Sequence, residues 1–230
     1  AWPASRCAAL PDAIPDEVAP LLEVLGIAIH ALDLAGIRID DASPAAAADP
    51  TGRGLRAGVY GAGPVGLVLA RALRAAGVAD IVATDRLAHR VTAATASGAS
   101  TALLVPEGPD PAARVPVDVA FECAGTDEAL DTAVRAVVPG GRVLAIGIPS
   151  GETSTYPASA ARRKEVGLQL VRRMEAPDLG RAVSLVASGR VSLDGLVTHR
   201  FGLEDAQEAF EVLASRAGLK VVVLPGPVAG

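Results

Sequence analysis

Three glycines at Gly61-x-Gly63-x-x-Gly66, with a carboxylate at Asp85, form the pattern in this chain whose residue types and spacing could do chemistry together. That chemistry would be the holding of two linked phosphates and a sugar. Gly61 permits a tight turn. Gly63 lets the backbone come close to a pyrophosphate, because no Cβ intervenes. Gly66 lets a helix pack against the preceding strand. Pro64 suits the first helical position, where its missing N–H costs nothing. The N-terminus of that helix offers N–H groups and positive potential to phosphate oxygens. Asp85 lies 24 residues beyond Gly61, close to the roughly 20 at which an acid accepts hydrogen bonds from an adenosine ribose. A carboxylate there repels a 2′-phosphate, so the pattern predicts NAD over NADP. Arg86, the next residue, would favour a phosphate. Asp85 would also serve as a cap for the helix that follows it.

Such a glycine run arises by chance in a glycine-rich chain, and this one has 24 glycines in 230 residues. Its meaning therefore rests on the elements around it. Leu55–Tyr60 reads as a strand and Pro64–Ala76 as a helix stopped by Gly77. Asp80–Thr84 is a strand, and Arg86–Ser97 a helix stopped by Gly98. Ala102–Val105 and Val117–Cys123 are strands, Thr126–Val137 a helix, and Arg142–Ile146 and Leu168–Val171 strands. Strands alternating with helices predict a parallel sheet covered on both faces. Right-handed crossovers make it a doubly wound α/β fold. Two more strand ends should then line the same crevice, Cys123-Ala124-Gly125 and Gly147-Ile148, since ligands bind outside the carboxyl ends of parallel strands. Ordinary strand-to-helix turn chemistry is the other reading of those small residues.

Ahead of this unit, Val18–Leu34 has helical spacing, with Asp16 as its expected N-cap and Gly36 as its end. Residues 40–56, with "SPAAAADPTGRG", read as a loop. Beyond Met174 the expected elements are a helix Leu179–Ser188, an extended Val197–Phe201, a helix Leu203–Ala214 and a strand Leu219–Leu224.

Half the residues are hydrophobic and a fifth are charged, so a packed core is expected. The net charge is −5, which argues against nonspecific nucleic-acid binding. The short run Arg162-Arg163-Lys164 reads as solvated surface or a helix start. Cys7 and Cys123 fit a reducing cytoplasm better than a disulfide scaffold. With no CxxC or Cys/His cluster, no zinc site can be built from this chain alone. The uncharged stretch 58–70 is too short to span a bilayer, and Ala1–Leu10 has no signal-peptide core. The absence of an initiator Met fits a piece of something longer.

Together, "GAGPVGLVLARALRAAGVADIVATD", "FECAG", "PGGRVLAIGIPSG" and "LVTHRFGLEDAQEAFE" resemble the medium-chain dehydrogenase/reductase superfamily. The branch they are most similar to is that of the sorbitol (polyol) and zinc-type alcohol dehydrogenases. "WPASRCAALPDAIPDE" and "LLEVLGIAIHAL" resemble the tail of that family's first, zinc-bearing domain and the helix leading out of it. The resemblance implies a Rossmann domain at 51–175, flanked by remnants of a catalytic domain at 1–50 and 176–230. It implies an NAD-dependent oxidation of a secondary alcohol or polyol, with zinc in the full-length family and its ligands absent from this chain. Gly61, Gly63, Pro64, Val65 and Gly66 match the family's pyrophosphate loop and Asp85 its ribose acid. Arg90 matches a basic residue over the adenosine. Cys123, Ala124, Gly147, Ile148 and Val171 match the nicotinamide side. Glu23 matches a glutamate beside the zinc and its water, although Val24 stands where the family has proline. Arg173 matches an arginine near the polyol, with Arg172 one step of register away. His30 and His199 match structural positions. Homo-oligomers paired along the last strand of the cofactor domain, roughly from "GRVLAIG" onward, are implied as well. The alternatives are a noncatalytic NAD-binding module and a zinc-free, NADPH-dependent quinone-reductase-like enzyme.

Overall fold

In the computed structural model, which describes residues 9–39, 54–105 and 110–225, six short strands lie parallel in one sheet. They are β1 (Arg56–Tyr60), β2 (Asp80–Asp85), β3 (Thr101–Leu104), β4 (Val117–Glu122), β5 (Val137–Ala145) and β6 (Gly167–Leu170). Their order is β3-β2-β1-β4-β5-β6. The chain thus fills one half of the sheet outward from β1 and then returns to build the other from β4. The crevice of such a sheet opens where the order reverses, at the carboxyl ends of β1 and β4. Strand β1 is flanked on both sides and covered on both faces. Its Ala57, Val59 and Tyr60 are fully buried, which is why it reads as an unbroken apolar run rather than an alternating one.

One face is covered by α1 (Pro20–Ala35), α2 (Pro64–Ala75), α3 (Ala88–Ala96) and, against α1, α6 (Asp178–Ala187). Leu21, Leu25, Ile29 and Leu32 of α1 join Leu67, Val68 and Leu73 of α2 and Leu185 of α6 in one core. The other face is covered by a 3-10 turn at Pro111–Arg114, by α4 (Asp127–Ala136) and by α5 (Ala158–Lys164). There Leu130 and Val134 of α4 close over Tyr60, Val82, Ala120 and Val143 of the sheet. A final unit pairs β7 (Val197–Gly202) with β8 (Lys220–Leu224) in a separate parallel two-stranded sheet, connected through α7 (Ala206–Ser215).

Several expected boundaries shift, each for a local reason. Asp16 does not cap α1. Successive turns run from Pro15 to Ala19, and the helix proper opens at Pro20, which has no N–H to continue the earlier ladder. Gly36 ends the helix in the left-handed region as expected, with φ 78°. Strand β5 starts earlier than Arg142, because Val137 already pairs with Val117 before Pro139-Gly140-Gly141 shifts the register. Residues 203–214 divide into a 3-10 turn at Leu203–Asp205 and α7. The run Arg162-Arg163-Lys164 forms the last turn of α5. There Lys164 Nζ donates to the carbonyls of Arg135 and Val137 at the end of α4, the usual place for a cation near a helix C-terminus. Cys7 and most of the 40–56 loop lie outside the described residues.

Candidate dinucleotide site

The glycine loop leaves β1 at Gly61, whose φ of 104° only glycine adopts readily. Its N–H donates to the Thr84 carbonyl at 2.9 Å, so the loop is stitched to β2. Gly63 is the N-cap of α2, and no side chain caps that helix. A Cβ on Gly63 would meet only Arg90 Nη1, at 3.7 Å. The backbone at the helix N-terminus is therefore open on the cleft side, as close approach by a phosphate requires. Gly66 serves a different end. A Cβ there would fall 1.9 Å from the Gly61 carbonyl oxygen, so this glycine lets helix and loop touch. Pro64 opens the helix, and Val65 packs partly buried against the first core.

Asp85 ends β2 beside that loop. Its Oδ2 accepts from Ala62 N and its Oδ1 from Leu87 N, both at 2.9 Å. The carboxylate thereby ties the glycine loop to the second strand. It supports the turn into α3 but does not cap it, since the N-cap is Leu87 and carries no side-chain capping bond. A carboxylate has about four lone-pair sites, so two backbone bonds leave acceptor capacity facing the cleft, enough for the two hydroxyls of a ribose. Arg90 brings Nη1 to 3.9 Å from Asp85 Oδ2 and over Gly63. Its Nε is buried without a partner.

These groups share a cleft of about 1410 Å³ whose lining includes Gly61, Gly63, Pro64, Asp85, Arg90, Cys123 and Ala124. The remaining expected residues are not in that lining. Gly66 and Val65 support the loop from beneath. Gly147 packs backbone to backbone on Gly125. Ile148 projects its side chain outward, 90% exposed. Val171 rests partly buried against the first core. Glu23 is exposed in the first turn of α1, and Arg173 is exposed beyond β6 with φ 59°. Their segments adjoin, because Met174 covers Gly26, one turn along from Glu23.

Two carboxylates escaped the sequence reading. Glu122, at the end of β4, is 3% exposed, and its Oε1 accepts from Ala124 N at 2.7 Å and Gly125 N at 2.6 Å. Burial pushes its carboxyl above the usual range, opposed by the backbone N–H groups it receives. A charged residue closing the apolar run "VAFE" was the available signal. Asp110 lines the cleft beside Thr84, and burial raises its carboxyl as well. Burial, and then the Glu122 carboxylate, push the Cys123 thiol up where the residue borders the cleft. Burial and then Asp110 likewise raise the Tyr60 phenol.

Among the described residues, no three His, Cys, Asp or Glu side chains come together to hold a metal ion. His30 faces Asp178, Nδ1 to Oδ2 at 3.9 Å, and His199 Nδ1 shares a hydrogen bond with Thr198 Oγ1 at 3.0 Å. Among the same residues no helix is long and apolar enough to cross a membrane.

The chain is similar over most of its length to known dehydrogenases. Sorbitol dehydrogenase of Ovis aries is 34% identical over 232 residues, covering 97% of this chain and 61% of that protein. The 2R,3R-butanediol dehydrogenase of Bacillus subtilis superposes with a TM-score of 0.78 at 26% identity, over 94% of this chain and 60% of that one. The fold is also that of L-idonate 5-dehydrogenase from Escherichia coli, with a TM-score of 0.81 at 23% identity over 96% of this chain and 60% of that one. The chain thus spans about 60% of the length of the relatives it matches. Residues 64–188, more than half of the chain, match the model of the zinc-binding dehydrogenases. With the doubly wound sheet and the glycine loop at its switch point, that match shows that the chain belongs to the zinc-binding dehydrogenase family.

Proposed function

We propose that this chain binds NAD at the carboxyl ends of β1, β2 and β4 and forms the cofactor half of a dehydrogenase that oxidises a secondary alcohol of a polyol. The observation that carries the reading is the bond from Ala62 N to Asp85 Oδ2. It unites a phosphate-sized opening at Gly63 and a sugar-sized acceptor at Asp85 in one cleft. In this reading Gly61, Gly63 and Pro64 receive the pyrophosphate, on a loop supported by Val65 and Gly66. Asp85 takes the ribose hydroxyls and Arg90 lies beside the phosphates and adenosine. Cys123 and Ala124 border the nicotinamide side, with Gly147, Ile148 and Val171 further along the same strand ends. Glu23 and Arg173 belong to the substrate side. The bound dinucleotide supplies the hydride acceptor, and the chain supplies its orientation and electrostatic surroundings. Among the described residues no three ligands come together as a zinc site, so the reading assigns none of them to the metal. The polyol assignment is supported by relatives named as sorbitol and butanediol dehydrogenases.

Titration of the chain with NADH is expected to saturate, with NADPH weaker by about tenfold, roughly 1.4 kcal/mol of repulsion at Asp85. Sorbitol oxidation by the chain alone with added zinc is expected to be negligible. No NADH binding would sink the cofactor assignment, and robust turnover would sink the restriction to a cofactor half.

The reading also has two copies pair along β6. This strand is the sheet edge and its four residues are exposed, with Leu170 at 72%. An apolar edge with unpaired N–H and C=O groups is a template for another strand. Light scattering is expected to give twice the mass of one chain, and Leu170→Lys to shift it toward the monomer. A monomer before substitution contradicts the pairing.

A further inference from the structure

We propose that Glu122 is a positioning residue, whose carboxylate clamps the turns leaving β4 and β5 against each other and so prebuilds the surface under the nicotinamide half of the cofactor. The proposal rests on the dinucleotide reading above. Glu122 lies outside the cleft lining and acts through the backbone it holds.

A carboxylate on a strand as apolar as β4 is costly to bury unless hydrogen bonds surround it. Here one oxygen, Oε1, takes the N–H groups of both Ala124 and Gly125, at 2.7 and 2.6 Å. The other, Oε2, looks toward the turn after β5, where a Cβ on Gly147 would fall 2.6 Å from it. The backbone carbonyl of Glu122 accepts from Ile146 N at 2.8 Å and Gly147 N at 3.0 Å. The residue therefore grips both turns, one with its side chain and the other with its backbone.

The turns themselves leave no slack. A Cβ on Gly147 would lie 2.1 Å from Gly125 N, and one on Gly125, at φ 71°, would lie 2.3 Å from the Ile148 carbonyl oxygen. The glycine loop touches the same assembly, since a Cβ on Gly61 would lie 2.7 Å from Ala124 N. Three turns meet at the switch point of the sheet, and behind them the Glu122 carboxylate takes the N–H groups of Ala124 and Gly125. Charge-assisted bonds of this kind are roughly twice as strong as neutral ones, and a carboxylate offers two acceptor oxygens where an amide offers one.

The nicotinamide turns and the ADP-ribose contacts at Gly63 and Asp85 are held by different groups, so a binding experiment can separate them. Wild-type chain and Glu122→Gln are titrated with NADH and with ADP-ribose. The variant is expected to bind NADH about tenfold more weakly, the scale of one lost charge-assisted hydrogen bond. Its ADP-ribose affinity is expected to stay within about twofold, well inside that scale. Equal weakening of both ligands by a folded variant would make Glu122 a general structural residue and overturn the proposal. An unchanged NADH affinity would overturn it as well. Should Glu122→Gln fail to fold, the same comparison on Glu122→Asp, which keeps the charge, decides between the same outcomes. Wild-type chain that binds neither ligand defeats the dinucleotide reading itself, and this proposal with it.

Discussion

Gly66→Ala is expected to destabilise the chain by about 3 kcal/mol or more, at or beyond the upper end of ordinary overpacking, and to lower Tm by about 6–12 °C. The added methyl would sit 1.9 Å from the Gly61 carbonyl oxygen, 3.0 Å from the Gly61 carbonyl carbon and 3.2 Å from Val59 Cγ1. No flexible side chain is available to swing aside. Gly61 is fixed by its bond to the Thr84 carbonyl and by its contact with the Ala124 backbone, so relief requires α2 to lift from β1. That movement would open the core at Leu67 and Val68, which are fully buried. Gly63→Ala provides the contrast. Its φ is −72° and its methyl would meet only Arg90 Nη1 at 3.7 Å, so Tm should barely change while NADH binding weakens. Thermal unfolding followed by circular dichroism checks both. A Gly66→Ala variant that melts within about 2 °C of wild type, a cost below 1 kcal/mol, would show that loop and helix do not meet as described.

The different fates of these two glycines also show what was legible before the structure. The strand, the glycine spacing and the helix opening at Pro64 are local signals, and each was met by the element expected. Asp85 was legible because its separation from the loop follows from the length of one helix and one strand. Glu122 was marked only by a charge closing the apolar run "VAFE", and its role was not legible, because its partners are backbone N–H groups, which leave no mark in the sequence. One of the turns it holds, at Gly147, comes only after a whole intervening helix and strand. Gly147 and Ile148 are less direct. Their strand-end position was legible, whereas the contact of the Gly147 backbone with Gly125 and the exposure of the Ile148 side chain were not. The shift of the α1 boundary to Pro20 could have been read from proline alone. The early start of β5 could not, since it depends on pairing of Val137 with Val117 across α4.

Substitution of Asp85 is expected to have the largest effect on binding with the least effect on fold, and the choice of substitution separates its roles. Asp85→Ala removes the acceptors for Ala62 N and Leu87 N together with the ribose contacts. One hydrogen bond to a charged group is worth about 1.5–3 kcal/mol, and every 1.4 kcal/mol is about tenfold in affinity. NADH affinity should therefore fall by about 100-fold or more, since the glycine loop loses one of its ties to β2 at the same time. Asp85→Asn keeps one oxygen but turns an NH₂ group toward one of the two backbone N–H donors, so that bond is lost while the other persists. NADH should weaken by about tenfold, one such bond. The Asn variant also removes the negative charge that opposes a 2′-phosphate, and it leaves the guanidinium groups of Arg86 and Arg90 beside the same opening. NADPH affinity should then hold or rise, and the gap between the two cofactors should close. The physical content is that cofactor preference resides in one charge, because the cations that would favour the phosphate are already in the cleft. A folded Asp85→Asn chain that still prefers NADH by the wild-type margin would place the discrimination elsewhere and defeat that assignment.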